Sequence, residues 1–157
     1  MIFVAVGTQF PFDRLVQCVD QWAAQNNIPA HAQIAGGKYT PTHASWDRFM
    51  TTDDLNARLT EASLIISHAG MGNIITALEN NKPIIVMNRQ HKLGEHRNDH
   101  QADGLEWMGK LSGVYTASSC EEMQQLLNRY GDLQGSQHQQ PEQRRQLIDF
   151  IHQAVNT

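Results

Sequence analysis

The chain has 157 residues, is 40% hydrophobic and carries a formal net charge of −4 with its eight histidines neutral. This length suggests one domain with an adequate core. The mildly acidic charge argues against general nucleic-acid binding, which needs a basic face. No apolar run approaches the roughly 20 residues that span a bilayer. The first residues form a strand without a basic or apolar leader, so we expect a cytoplasmic protein.

The two cysteines lie far apart in the sequence. Cys18 and Cys120 belong to no metal-ligand spacing. We therefore expect ordinary thiols in a reducing compartment.

The first third of the chain alternates apolar and amphipathic stretches. Residues 2–6 form a fully apolar strand, which is typical of the middle of a parallel sheet. Asp13 is suited to cap the helix that follows, which fades at 25–27. Residues 31–35 are predicted to form a second strand, and 46–50 a third, weaker one.

A β-turn-α-β unit follows. Thr52 or Asp53 is expected to cap a helix, and a strand is predicted at 64–67. A glycine-bearing turn then enters a helix at about 72–80, and 83–87 forms the next strand. Such a unit implies a parallel sheet.

The last third carries more polar sequence. A helix is predicted at about 99–109, a short strand at 114–115, and another helix from Ser118 or Ser119. Residues 132–140 are rich in glycine and glutamine and are expected to form a hinge. The final helix, 141–157, has an apolar stripe that packs either on the domain or on another subunit. We assign 1–131 to one doubly wound α/β domain of Rossmann-like type.

The turn after the strand at 64–67 is suited to bind an anion. Gly70 and Gly72 allow close approach of a bound group, and the first free N–H groups of the next helix point at it. A phosphate fits there. The alternative is a tight turn without a ligand.

Three loops are expected on one edge of the sheet, because each follows a strand of a parallel sheet. They cover residues 7–12, 68–73 and 88–101. The third is cationic and polar, and a cationic loop opposite two anion-binding turns suits a diphosphate. Neither Gly-x-Gly-x-x-Gly nor a Gly-Lys-Ser/Thr loop is present, so a nucleotide-sugar site is favoured over a dinucleotide or P-loop site. The residues of this loop with suitable side chains are Arg89, His91, Lys92, His96, Arg97, Asp99, His100 and Gln101.

These motifs, in this order, resemble the carboxyl-terminal domain of glycosyltransferase family 28, and in particular the small donor-binding subunits of split, two-chain members. The matching stretches are 4–8 with 12–13, 67–72, 82–86, 95–96 and 98–101.

The resemblance implies the carboxyl-terminal half of a GT-B enzyme. Its donor would be a UDP-sugar, its cofactors none, and its site free of metal. A membrane-associated partner subunit would supply the acceptor half, the lipid-linked saccharide acceptor and the catalytic base. The implied complex would make exopolysaccharide or a related glycan, with this subunit recruited to the inner face of the membrane.

By position, the resemblance assigns donor contacts to the ends of three strands, to the helix after the last of these and to the cationic loop. The backbone of Phe49 and Met50 would hold uracil, and Gln101 with His100 would contact sugar hydroxyls. The alternative for His68 is that it only caps its turn. The full set is Gly7, Thr8, Gln9, Phe49, Met50, His68, Gly70, Met71, Gly72, Asn73, Thr76, Glu79, Arg89, His96, Asp99, His100 and Gln101.

The ribose contact departs from the family pattern. Full-length members place an acid seven positions before the proline, which here is Thr76, while Glu79 lies one helical turn later. Residues three apart share a helix face, so Glu79 is a candidate substitute or else a solvated surface residue.

Two other functions stay open from the sequence. One is a non-catalytic nucleotide-sugar-binding module with the same pocket. The other is a metal-dependent hydrolase using His91, His96 and His100. The transferred sugar is open among N-acetylglucosamine, galactose and glucuronic acid.

Overall fold

The structure is a computed structural model that describes residues 1–7, 11–68, 71–87 and 113–133, with Met71 described by its backbone only. The strands are β1 (Ile2–Ala5), β2 (Ala30–Gln33), β3 (Ser45–Asp47), β4 (Leu64–His68), β5 (Ile84–Met87) and β6 (Val114–Ala117). The helices are α1 (Asp13–Asn26), α2 (Thr52–Glu61), α3 (Met71–Glu79) and α4 (Cys120–Leu127), followed by a 3₁₀ turn at Tyr130–Asp132.

The strands form one parallel sheet in the order β3-β2-β1-β4-β5-β6. The chain moves outward from β1 in one direction through β2 and β3, then returns to the other side of β1 and continues through β4 to β6. This reversal is the doubly wound arrangement, and it confirms the predicted fold class.

Helices cover both faces of the sheet, and each face has its own core. Alternate residues of β1 contribute to opposite cores, as strand geometry requires. Val4 packs with Leu15 and Trp22 of α1 and Met123 of α4. Phe3 packs on the other face, with α2 and α3. All four residues of β1 are buried, as expected of a central parallel strand.

Two helix caps differ from the prediction. The residue before α1 is Phe12, without a side-chain cap, because the Asp13 carboxylate instead accepts from the backbone N–H groups of Lys38 and Tyr39. Thr51, rather than Thr52 or Asp53, caps α2 by accepting from the N–H of Asp54. Ser119 caps α4, which confirms one of the two predicted residues.

The predicted third strand is shorter and earlier than expected. β3 covers Ser45–Asp47 rather than 46–50 and lies at the exposed edge of the sheet. The N–H groups of Ile34 and Ala35 bond to the carbonyls of Asp47 and Arg48. Ala35 then takes a left-handed φ of 52°, which ends the pairing.

The expectation of ordinary thiols is wrong. Cys18 of α1 and Cys120 of α4 form a disulfide, with their Cα atoms 5.7 Å apart. The sequence could not indicate this pair, because its members are separated by 102 positions and meet only when α1 and α4 pack side by side.

The remaining predicted elements lie outside the described residues. These are the cationic loop, the helix at 99–109, most of the hinge at 132–140 and the helix at 141–157. Leu133, near the start of the predicted hinge, is buried in the core on the α1 side of the sheet. No helix within the described ranges is both long enough and apolar enough to cross a membrane.

Candidate functional site

The carboxyl ends of β1 and β4 meet at the point where the strand order reverses. Ala5 is paired in register with Ser67, so the chain leaves both strands at the same level. Crevices at this position are where open α/β sheets bind ligands. The predicted convergence of the first two loops is therefore present in the part of each loop that is described.

Gly7 of the first loop lies against His68 of the second. A Cβ built on Gly7 would lie 3.0 Å from Nε2 of His68. Gly7 also has a φ of 88°, which disfavours any side chain. The glycine is thus required both by backbone conformation and by the imidazole beside it.

A buried glutamine that the sequence reasoning missed holds Gly7 from the other side. Oε1 of Gln33 accepts from the N–H groups of Val6 (3.2 Å) and Gly7 (3.1 Å). Nε2 donates to the carbonyls of Gly7 (2.8 Å) and Arg48 (2.9 Å). Gln33 is 4% exposed, and its one signal in the sequence was its position between the apolar Ala32 and Ile34 of a predicted strand.

A cleft opens beside this glutamine. Its cavity volume is about 40 Å³. Three of its lining residues were predicted donor contacts: Gly7, Met50 and Asn73. The other three are Ala5, Gln33 and Leu55. Apolar walls with a few amide groups are typical of sites for the flat part of a small molecule.

The side chains of Phe49 and Met50, which follow β3, lie in different environments. Met50 is partly buried, lines the cleft and packs on the α2–α3 side of the core. The neighbouring Phe49 side chain is 59% exposed. Phe49 is not among the residues that line the described cleft, and its backbone contact with uracil stays a prediction.

The start of α3 is joined to the end of β4 by side chains. The amide of Asn73 donates to Oγ of Ser67 (2.9 Å), whose hydroxyl donates to the carbonyl of His68 (2.8 Å). Ser67 is fully buried. These two hydrogen bonds fix the first turn of α3 relative to β4. The positive end of the α3 dipole lies beside the cleft.

Gly72 is exposed, and a Cβ built on it would meet no atom of the described residues within 4 Å. The packing of the protein therefore does not require glycine here.

Thr76 and Glu79 lie farther along α3 and do not line the cleft. The hydroxyl of Thr76 donates to the carbonyl of Gly72 at 3.0 Å, and Glu79 is exposed. Their assignment as ribose contacts stays a prediction.

Other predicted contacts lie outside the described residues, and their arrangement is not known. They are Thr8, Gln9, Gly70, the Met71 side chain, Arg89, His96, Asp99, His100 and Gln101. The histidine set of the hydrolase hypothesis, His91, His96 and His100, lies there as well. Within the described ranges, no three acidic, histidine or cysteine side chains are grouped as metal ligands.

Next to the cleft, the segment between β2 and β3 is held by the two acids of α1. Asp13 binds the N–H groups of Lys38 and Tyr39, as described above. Asp20, two turns later on the same helix face, accepts from the Tyr39 hydroxyl at 2.6 Å and from the N–H groups of residues 42–44. Arg48 donates to the carbonyls of Ala35 and Gly37 from the opposite side. The segment is therefore fixed at both of its edges.

This bracing changes the acidity of two groups. Burial raises the pKa of the Asp20 carboxyl, but the hydrogen bonds from Tyr39 and from the backbone outweigh burial, so the pKa is lowered overall. Burial, the hydrogen bond to Asp20 and the negative charge of Asp20 together raise the pKa of Tyr39 to about 12. At neutral pH the Asp20 carboxyl is therefore ionised and accepts hydrogen bonds, while the Tyr39 phenol is protonated and donates one.

At the sheet edge, the ring of His31 joins β2 to β3. Its Nδ1 lies 2.6 Å from Oγ of Ser45, and its Nε2 lies 2.9 Å from Oδ2 of Asp47. His31 is buried and stacks on Phe3, with the ring centroids 6.0 Å apart. These contacts anchor the short edge strand, and with it the segment that carries Met50 into the cleft.

The sequence profile of the glycosyltransferase family 28 C-terminal domain matches residues 1–156. The chain belongs to this family. Its sheet is that of the carboxyl-terminal half of a GT-B glycosyltransferase, and solved structures of similar fold agree.

Individual relatives agree with this family 28 assignment. The human UDP-N-acetylglucosamine transferase subunit ALG13 is 31% identical over 107 residues, which cover 61% of this chain and 9% of the human protein. A solution structure of ALG13 aligns with a TM-score of 0.63 at 20% identity and covers 96% of each chain. The crystal structure of Acinetobacter baumannii MurG gives a TM-score of 0.60 at 16% identity, over 96% of this chain and 49% of MurG. At these identities the two structures indicate only that the fold is shared.

Proposed function

We propose that this family 28 domain is the donor-binding subunit of an inverting, metal-independent glycosyltransferase. It would take a UDP-activated sugar and act with a membrane-associated partner that binds a lipid-linked saccharide. Transfer of the hexosyl unit would occur at the cytoplasmic face of the membrane, in exopolysaccharide or glycan synthesis.

One observation carries the proposal. The loop after β1 and the loop after β4 touch through Gly7 and His68, beside a cleft lined by Met50 and Asn73. Each of these four residues was expected to contact the donor, and their meeting at the reversal of the sheet supports a single nucleotide-sugar site.

The proposed chemistry is electrostatic. The free N–H groups at the start of α3 would face the donor diphosphate, and the cationic loop at 88–101 would approach it from the next strand. Both would stabilise the negative charge that grows on the departing UDP. A general base on the partner would remove the proton from the acceptor hydroxyl, since no residue of the described cleft is a carboxylate or an imidazole poised for that task.

The relatives support the choice of first donor. ALG13 is called a UDP-N-acetylglucosamine transferase subunit. The word subunit also supports a partner chain for this protein. UDP-N-acetylglucosamine is therefore the donor to test first, followed by UDP-galactose and UDP-glucuronic acid.

The first experiment measures binding by the isolated chain. UDP at about a hundred times its dissociation constant should raise the free energy of unfolding by about 2.7 kcal/mol. For a domain of this size, that is a rise of roughly 5–10 °C in the melting temperature. GDP and CDP serve as matched nucleotide controls. No thermal shift with UDP or any UDP-sugar, even with the partner present, would contradict a donor site.

The second experiment measures transfer. The chain is co-purified with its membrane-associated partner and supplied with radiolabelled UDP-sugars and lipid-linked acceptors. The complex should transfer sugar and remain active in excess EDTA, while each chain alone should be inactive. A complex that binds UDP-sugars without transferring any of them would instead favour the non-catalytic module.

A further inference from the structure

The side chain of Gln33 has an unusual position for an amide. It lies at the end of a buried strand, is 4% exposed, and makes hydrogen bonds with both ends of its amide group. Its oxygen accepts from two N–H groups and its nitrogen donates to two carbonyls, so every direction of the amide is used. This pattern also fixes which end is oxygen, because a flipped amide would face N–H groups with its own N–H groups.

The partners of Gln33 lie on two different segments. One is the end of β1 with Gly7, where the first predicted donor loop begins. The other is the carbonyl of Arg48, two residues before Met50, which lines the cleft. Gln33 itself lines the cleft between them. A single side chain therefore connects the segment predicted to face the donor phosphates with the segment predicted to hold uracil.

Gly7 depends on this contact more than an ordinary loop residue would. Gln33 binds both the N–H and the carbonyl of Gly7, which holds the peptide groups on either side of a residue with a φ of 88°. His68 closes the opposite side of Gly7. Without the amide, both of these hydrogen bonds to Gly7 would be lost, while the packing against His68 would remain.

We propose that Gln33 is a positioning residue of the donor site, whose amide sets the spacing between the loop after β1 and the segment that carries Met50. The inference rests on the proposed function, because it assumes that these two segments hold opposite ends of the same nucleotide. Gln33 orders both segments before the donor arrives, which lowers the ordering cost of binding.

The test compares two substitutions. Gln33→Glu keeps an acceptor for Val6 and Gly7 but turns a carboxylate oxygen toward the carbonyls of Gly7 and Arg48. Gln33→Met keeps the length of the side chain and removes all four hydrogen bonds. Binding of UDP to the full chain is measured by titration calorimetry, well below the melting temperature of each variant. We expect the dissociation constant to rise about tenfold or more in both.

The control separates positioning from general stability. Asp20→Asn weakens another buried hydrogen-bonded side chain, one that braces the segment between β2 and β3 and does not line the cleft. It should lower the melting temperature and leave the dissociation constant for UDP within about twofold. Backbone amide spectra give a second readout, in which Gln33→Met moves the signals of both Gly7 and Met50 and Asp20→Asn moves neither.

The outcomes distinguish the two proposals. If the unsubstituted chain does not bind UDP, the proposed function fails and the role of Gln33 fails with it. If the unsubstituted chain binds UDP and the Gln33 variants bind it equally well, only the positioning role is overturned. Should Gln33→Met not fold, Gln33→Glu carries the test, because it keeps the two acceptor contacts.

Discussion

The imidazole of His68 lies against the α-carbon of Gly7, so close that a Cβ on Gly7 would be 3.0 Å from Nε2. Gly7 follows β1 and His68 ends β4. Their contact brings the beginnings of the two loops together where the strand order reverses.

Gly7→Ala should destabilise the protein and weaken UDP binding. A left-handed φ costs a residue with a Cβ roughly 1–2 kcal/mol, and displacement of the His68 ring adds to this cost. We expect a loss of about 2–3 kcal/mol in the free energy of unfolding, measured by urea denaturation. The double variant with His68→Ala should recover the part due to the ring. An unchanged stability in Gly7→Ala would contradict the described backbone.

Gly72→Ala should have the opposite effect on stability. A Cβ at this position meets none of the residues that the structure describes, and alanine favours a helix more than glycine does. The free energy of unfolding should therefore rise by about 0.5–1 kcal/mol. UDP binding should nevertheless weaken if a phosphate approaches the backbone here. A variant that is more stable and binds UDP as well as before would remove Gly72 from the site. Thermal melts with and without UDP supply both measurements.

Stability should depend on the ionisation of Asp20. Its pKa is lowered in the folded protein, so its contribution is fully present above the unfolded pKa, near 3.9, and is lost as the pH falls through the folded pKa. Asp20→Asn should therefore cost about 2–4 kcal/mol at pH 7 and much less at the acidic end of that window. The exposed acid in Glu61→Gln serves as the control and should change stability by less than about 0.5 kcal/mol. Equal losses at both pH values would contradict a charged Asp20.

The phenol of Tyr39 gives an independent check on the same pair. Its pKa is raised to about 12 from a model-compound value of 10.0, so the folded state should resist its ionisation. The contribution to stability is complete below the unfolded pKa and is lost as the pH rises through the folded value. In an ultraviolet titration, the ionisation of Tyr39 should be delayed to a pH above its ordinary pKa of 10.0. In Asp20→Asn, part of this delay should disappear.

The disulfide between Cys18 and Cys120 should contribute strongly to stability. It closes a loop with a sequence separation of 102, and chain-entropy arguments give about 4.7 kcal/mol for a loop of roughly this length. Reduction, or the double variant Cys18→Ser and Cys120→Ser, should lower the free energy of unfolding by about 3–5 kcal/mol. The double variant should then be insensitive to reductant. Alkylation followed by mass spectrometry of the unreduced protein should leave both cysteines unmodified, and modification of both would contradict the bond.

The sequence alone was sufficient for the fold class and for two of the three loops. Apolar strands such as 64–67 and glycine-bearing turns are local patterns, and the positions of loops after parallel strands follow from topology without knowledge of side-chain contacts. Gly7 and Asn73 follow from these patterns and Met50 from the family resemblance. All three line the cleft, and their contact with a donor stays a prediction. The ends of strands and helices were predicted less accurately. Whether a side chain such as that of Asp13 or Thr51 caps a helix depends on which backbone N–H groups lie near it in space.

The tertiary structure decided the contacts between residues distant in the chain. Gln33, the disulfide and the Asp20 cluster each join segments that no local pattern connects, and a polar residue in a strand has no meaning until its partners are placed. The physical reason is that hydrogen bonds and close contacts depend on distances in space, which periodicity and propensity do not specify.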